Sequence, residues 1–329
     1  MTDTTTAPEY TPLIAVTMGD PVGVGPEICA AAMVSSAVLD ACRPVLIGDA
    51  ERMRLAAEII GVTADVRVVA APSEAIASPT VINVIQVDSL PDDLEWGVVD
   101  ARAGQAALAM SGEVAAIATA PINKASLRAA GHQYPGHTEL LAHLTGVDEV
   151  SMMLSAPTLR VIHVTTHIGL IDAIAVIEPG LVERTARRGI DALMRAGLER
   201  PRVGVCAINP HAGENGLFGY GEEASKIQPA VDALRAEGFD VDGPLPADTA
   251  FYLAGRGEYD LIVAMYHDQG HGPIKVLGID DGVNITIGLP VVRTSVDHGT
   301  AFDIAGTGTV HTASMVECIR QATALAERP

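Results

Sequence analysis

Short apolar runs, each closed by glycine or a polar cluster, recur along the chain. Leu13 to Thr17, Pro44 to Ile47, Val66 to Val69, Val81 to Val87, Val114 to Thr119, Leu159 to Thr165, Val203 to Ile208 and Leu261 to Met265 all have this form. Runs so short and continuous predict strands buried on both faces. Between them, Ala50 to Ile60, Asp100 to Met110, Leu140 to Leu144, Glu178 to Arg195 and Glu222 to Gly238 carry helical spacing. Strands alternating with helices predict an α/β chain with a parallel, doubly wound sheet. Met152 to Leu154 forms a strand pair with the run at Leu159, joined around Ala156-Pro157. Only 3% of residues are aromatic while 48% are hydrophobic, so Ala, Val, Ile and Leu must fill the interior. A length of 329 residues points to two domains, each able to bury a core.

The formal charge of -20 argues against a nucleic-acid or anionic-membrane partner. No uncharged apolar run is long enough to span a bilayer. Residues 1–12, MTDTTTAPEYTP, lack the cationic start and apolar centre of a signal peptide and read as a frayed tail. Cys29, Cys42, Cys206 and Cys318 form no CxxC pair. Cys29 and Cys206 lie in apolar runs and read as small buried hydrophobes, which fits a reducing, cytoplasmic compartment.

The polar groups concentrate in Tyr259 to Gly308. There the run Leu261 to Met265 stops at Tyr266-His267-Asp268-Gln269-Gly270, a polar cluster read as a strand-end loop. Lys275, Asn284 and Arg293 follow on loops or short strands, and Asp297-His298-Gly299-Thr300 opens a glycine-rich loop. Two further strands end at His167 and His211. Any one of these histidines alone is consistent with a hydrogen-bonded structural residue. Their shared place at strand ends is informative, because ligands in α/β folds sit beyond the carboxyl ends of strands. Three imidazoles meeting there would suit a divalent transition metal with an open position. Such a metal can activate water, or it can hold a substrate hydroxyl and stabilise an enolate. His132, His143, His163 and His311 show no equivalent pattern and are left structural. The stretch His298 to Gly306 has the small residues that let a backbone approach a flat ring and its phosphates.

The motifs MGDPVGVGPEI, PINKASL, GHTELLA, NPHAGE, LPADT, MYHDQG, GVNITIGLP and RTSVDHGTAFDIAG, in this order, resemble the 4-hydroxythreonine-4-phosphate dehydrogenase family of pyridoxine biosynthesis. HGTAFDIAG and GDPVGVGPE are also similar to segments of isopropylmalate and isocitrate dehydrogenases. The resemblance implies their two-domain α/β/α sandwich with non-Rossmann nucleotide binding. It implies a nucleotide-side domain of residues 13–128 plus roughly 295–329, and a metal, substrate and dimerisation domain of residues 129–294. His167, His211 and His267 match the family's metal ligands, and His137, Thr138, Lys275, Asn284 and Arg293 its substrate contacts. Gly299, Thr300, Asp303, Ala305 and Gly306 fall in the cofactor loop. Lys275 and Asp248 are the catalytic candidates.

The implied reaction is NAD- or NADP-dependent oxidation of a 4-phosphorylated 3-hydroxy acid, followed by decarboxylation. It uses one divalent ion, zinc or alternatively magnesium, manganese or cobalt, in a homodimer whose subunits share active sites. The chain departs from the biosynthetic pattern after HDQG, with His271-Gly272-Pro273 in place of Leu-Pro. That resembles a catabolic branch acting on 4-phosphorylated threonate or erythronate; a relative that oxidises a terephthalate cis-dihydrodiol shares the scaffold. A metallohydrolase on the same histidines and a non-catalytic ligand-binding protein are the competing readings.

Overall fold

A computed structural model describes residues 11–87, 90–91, 93–98, 114–129, 131, 137–278 and 282–326. The helix expected over Asp100 to Met110 lies outside the described residues. The chain divides into two compact units, Met1–Gly136 with His298–Pro329, and His137–Asp297.

In the first unit, β1 (Leu13–Thr17), β2 (Arg43–Gly48), β3 (Asp65–Val69), β4 (Val81–Gln86) and β5 (Ala116–Thr119) lie in the order β3-β4-β2-β1-β5. Every pairing among them is parallel. Ile14, Val16, Leu46, Ile82 and Ala118 are buried, as continuous apolar strands covered on both faces require. Helix Gly25–Met33 follows β1 directly, with Pro26 in its first turn, where a missing N–H costs nothing.

In the second unit, β6 (Ser151–Ala156), β7 (Leu159–His163), β8 (Arg202–Cys206), β9 (Asp240–Leu245), β10 (Leu261–Ala264), β11 (Val283–Ile287) and β12 (Val292–Val296) run in the order β12-β11-β6-β7-β10-β8-β9. β7, β10, β8 and β9 are parallel neighbours. The β6–β7, β6–β11 and β11–β12 pairs are antiparallel, so the all-parallel expectation holds only for the first unit. The reason is chain length: two residues between β6 and β7 permit only a hairpin, while parallel neighbours need a long crossover.

Three further expectations change. The cluster at Tyr266 to Gly270 is not a loop; helix His267–Gly278 begins there and carries Lys275. The helix expected over Glu222 to Gly238 is a π turn at Glu223–Ile227 followed by helix Gln228–Ala236. Pro229 cannot donate a backbone N–H, so the ladder shifts there. β9 and helix Ala247–Gly255 occupy a stretch read only as a connection. Helix Pro179–Arg195 packs tightly on β10, because a Cβ at Gly189 would stand 2.6 Å from Leu261. All four cysteines are buried and none is in a disulfide, and burial raises the Cys206 thiol to about 12.

Candidate active site

β7, β10 and β8 are adjacent and parallel, so their carboxyl ends emerge on one edge of the sheet. Side chains brace those ends together. Thr165 Oγ1 donates to the Met265 carbonyl at 2.8 Å. The Met265 amide donates to Gln269 Oε1 at 2.7 Å, and Gln269 Nε2 donates to the Ala207 carbonyl at 2.7 Å. Gln269 is buried, and its single amide satisfies backbone groups from two strand ends. Sequence reasoning did not single it out.

His167 and His267 extend from the ends of β7 and β10, their ring centroids 5.8 Å apart. Both line a cavity of about 320 Å³, together with Tyr266 and Asp268. His267 starts its helix, and His271 and Lys275 follow at four-residue steps, which puts all three on one helical face. The His271 ring stacks on His267 at 3.7 Å and 11°. Its Nδ1 lies 3.1 Å from His163 Nε2 and 3.2 Å from the His267 carbonyl. Burial, reinforced by the neighbouring imidazoles, lowers His163 to about 3; burial and His267 lower His271 to about 4. Both rings are therefore neutral at physiological pH. His163, read from sequence as structural, is the buried end of this histidine row. The missed signal was the i, i+4, i+8 spacing of His267, His271 and Lys275, hidden by reading that segment as a loop.

His211 stands differently. It opens a left-handed run in which His211, Ala212, Gly213, Glu214 and Asn215 have φ of 50°, 53°, 78°, 42° and 55°. Non-glycine residues enter this region only at a cost of order 1 kcal/mol each, so other contacts must hold it. The buried Glu223 carboxylate accepts from the Ile208 amide at 3.1 Å and the Asn209 amide at 2.7 Å. The run leaves His211 exposed. Among the described residues of one chain, no group of three His, Cys, Asp or Glu side chains can hold a metal.

The remaining candidates are placed as follows. Lys275 ion-pairs with Asp297, and burial holds its ammonium below the usual lysine range. Arg293 is buried on β12 and donates to Thr286 Oγ1 at 3.2 Å; Thr286 Oγ1 lies 3.4 Å from Thr138 Oγ1. Thr138 is in the first turn of helix His137–Thr145, and the His137 side chain lies outside the described residues. Asn284, on β11, has its Nδ2 3.2 Å from Met152 Sδ. Asp248 is exposed in the first turn of helix Ala247–Gly255, where its carboxylate accepts from the Thr249 amide.

In the first unit, the Gly299–Gly306 loop rests on the turn after β1. The Val24 amide donates to the Thr300 carbonyl at 3.0 Å, and a Cβ at Gly23 would stand 2.9 Å from Thr300. The Glu27 carboxylate, with no exposed surface, accepts from the Gly306 amide at 2.8 Å and the Gly308 amide at 2.9 Å. Trp96 packs on Gly306, which has φ +78°, and the Arg52 guanidinium lies 3.5 Å over the Trp96 ring. Ala305 is buried in this packing, while Asp303 faces solvent.

Residues 40–322 match the family model described as pyridoxal phosphate biosynthetic protein PdxA. The chain belongs to the PdxA family. It is 57% identical to a D-threonate 4-phosphate dehydrogenase of Cupriavidus necator, over 97% of this chain and 99% of the relative. It is 46% identical to a 4-hydroxythreonine-4-phosphate dehydrogenase of Trichlorobacter lovleyi, over 96% of this chain and 98% of the relative. A crystal structure of a 4-hydroxythreonine-4-phosphate dehydrogenase from Burkholderia phymatum superposes with a TM-score of 0.90 at 59% identity, covering 98% of this chain and all of that one. PdxA membership makes the chain an oxidoreductase acting on a hydroxyl group with a nicotinamide cofactor. No helix among the described residues is long and apolar enough to cross a membrane.

The carboxylates beside His267 and His211 select the tautomer that suits a divalent metal. His267 Nδ1 lies 2.7 Å from Asp268 Oδ1, and His211 Nδ1 lies 3.1 Å from Glu214 Oε2. A carboxylate only accepts, so Nδ1 is the donor in each pair, and in the neutral ring that tautomer leaves the lone pair on Nε2. An imidazole ligates in this state, with a carboxylate behind it.

Proposed function

We propose that this chain oxidises and decarboxylates D-threonate 4-phosphate, using NAD or NADP and a divalent ion held by His167, His211 and His267. The observation that carries the substrate is the 57% identity, over nearly the full length of both chains, to an enzyme named for it. The charge around the histidine row supports the same choice. Threonate 4-phosphate carries a hydroxyl next to its carboxylate, where 4-hydroxythreonine 4-phosphate carries an ammonium. The face formed by His267, His271 and Lys275 offers the neutral His271 ring and one cation whose carboxylate partner, Asp297, is already engaged. A hydroxyl is accommodated there more readily than a second ammonium.

A divalent ion held by His167, His211 and His267 would supply Lewis acidity to the substrate alcohol and to the negative charge that decarboxylation develops. The chain's own groups do the rest. Arg293 grips phosphate or carboxylate through its planar fork, and Thr138 and Asn284 donate hydrogen bonds. Lys275 Nζ, lowered by burial, holds an anionic group of the substrate or returns a proton to the carbon that loses CO2. Gly299, Thr300, Ala305 and Gly306 present backbone to the dinucleotide, and Asp303, exposed on the same loop, faces its ribose or adenine side. Asp248 is kept as a substrate or nicotinamide contact. The unit Met1–Gly136 with His298–Pro329 is the nucleotide side, and His137–Asp297 the metal and substrate side, close to the expected 13–128 with 295–329 and 129–294.

Among the described residues of one chain, His167, His211 and His267 form no metal-holding group, and Ile171, Leu217, Tyr220 and Val276 expose apolar surface. Both features fit a homodimer in which the two copies complete each site. Four buried thiols fit a cytoplasmic setting.

The test is reduced-nicotinamide absorbance with D-threonate 4-phosphate, erythronate 4-phosphate, 4-hydroxythreonine 4-phosphate and the terephthalate dihydrodiol, measured in parallel. D-threonate 4-phosphate should give the highest kcat/KM. A higher value for 4-hydroxythreonine 4-phosphate would favour the second reading, which the 59% identical B. phymatum structure supports by its name.

A further inference from the structure

Two close contacts of the His267 ring differ in stiffness. Asp268 meets its Nδ1, but the Asp268 side chain is 92% exposed, and such a partner holds a ring weakly. The other contact is the face of His271, parallel to His267 at 3.7 Å. His271 is itself fixed from below. His163 on β7 is 2% exposed, and its Nε2 lies 3.1 Å from His271 Nδ1. Gly270 makes room for this contact, because a Cβ there would collide with His163 Nε2. A sheet residue thus anchors a helix residue, and the helix residue braces the ring one turn before it.

We propose that His271, pinned by His163, is a positioning residue that fixes the ring plane of His267 for metal binding; this rests on His267 being a ligand. A histidine ring is broadly free about its second side-chain torsion, so an unbraced ligand loses that freedom when a metal binds. Groups that orient a ligating histidine from behind are worth about 10–100-fold in metal affinity. The row does not need to touch substrate or cofactor to act.

Cobalt(II) titration of the metal-stripped full-length protein, followed by its visible absorption, reads the effect without turnover. His271→Ala, at a half-buried helix position, should weaken cobalt binding about 10–100-fold. His163→Leu should weaken it in the same direction, and the double variant should bind no worse than His271→Ala alone, because His163 acts only through His271. Wild-type affinity in His271→Ala, or additive losses in the double variant, would overturn the inference. His267→Ala separates the two levels. If it abolishes cobalt binding while His271→Ala leaves binding intact, only the positioning role is lost. If His267→Ala binds cobalt as wild type does, the metal reading fails and the inference goes with it.

Discussion

The glycine loop at residues 299–308 and the histidine-bearing strand ends hold functional groups in opposite ways. The loop is gripped from underneath by a fully buried carboxylate, Glu27, which lies 279 residues from Gly306 in sequence and accepts two of the loop's amides. Its conformation is complete within one chain. At the strand ends the backbone is equally well braced by Thr165 and Gln269, yet the histidines extend outward, and His211 leaves on a strained left-handed turn. On the proposed reading, the dinucleotide site is prebuilt, whereas the metal and substrate site is left to be closed by other groups. Backbone bracing and ligand assembly are therefore separable, and substitutions can address them one at a time.

The largest effect is expected from Glu27→Ala. It strands the Gly306 and Gly308 amides, each at about 1–3 kcal/mol. Nucleotide affinity measured by titration should fall at least about tenfold by the same energies, while cobalt affinity stays unchanged. Loss of cobalt binding as well would erase the contrast between the regions.

A middle effect concerns pH. Burial lowers His163 to about 3 in the folded chain, from an ordinary histidine value of 6.5 when unfolded. The unfolded chain binds the proton first, so its contribution to stability is full above pH 6.5 and drains as pH falls towards 3. The slope from this one group is at most about 1.4 kcal/mol per pH unit. Denaturation across that window should show the loss, and His163→Leu should flatten it. An unchanged slope in the variant would place the sensitivity elsewhere.

The smallest effect is Thr165→Val, which deletes one brace between strand ends and should cost about 1 kcal/mol in denaturant unfolding. A cost well above that would mean the strand ends depend on it as the loop depends on Glu27.

Much of this was legible before any coordinates. Continuous apolar runs announced the buried strands, and the strand-end rule grouped His167, His211 and His267, of which one chain brings the rings of His167 and His267 together. β9 was missed because Asp240–Leu245 carries two aspartates, a glycine and a proline, and an edge strand tolerates all of them. Helix His267–Gly278 was missed because Gly270, Gly272 and Pro273 lower its propensity. Tertiary contact overrides that, since Gly270 is what lets His163 approach. The Glu27 grip and the left-handed path of His211 depend on long-range hydrogen bonds, which no local pattern encodes.

Metal dependence of the dehydrogenation is the claim on which the rest stands. The direct measurement is nicotinamide reduction by D-threonate 4-phosphate with protein shown by elemental analysis to be metal-free, followed by stepwise return of zinc or cobalt. The account predicts no turnover in the stripped protein and recovery in proportion to metal bound, with His267→Ala failing to recover. Full turnover by the metal-free protein would contradict it.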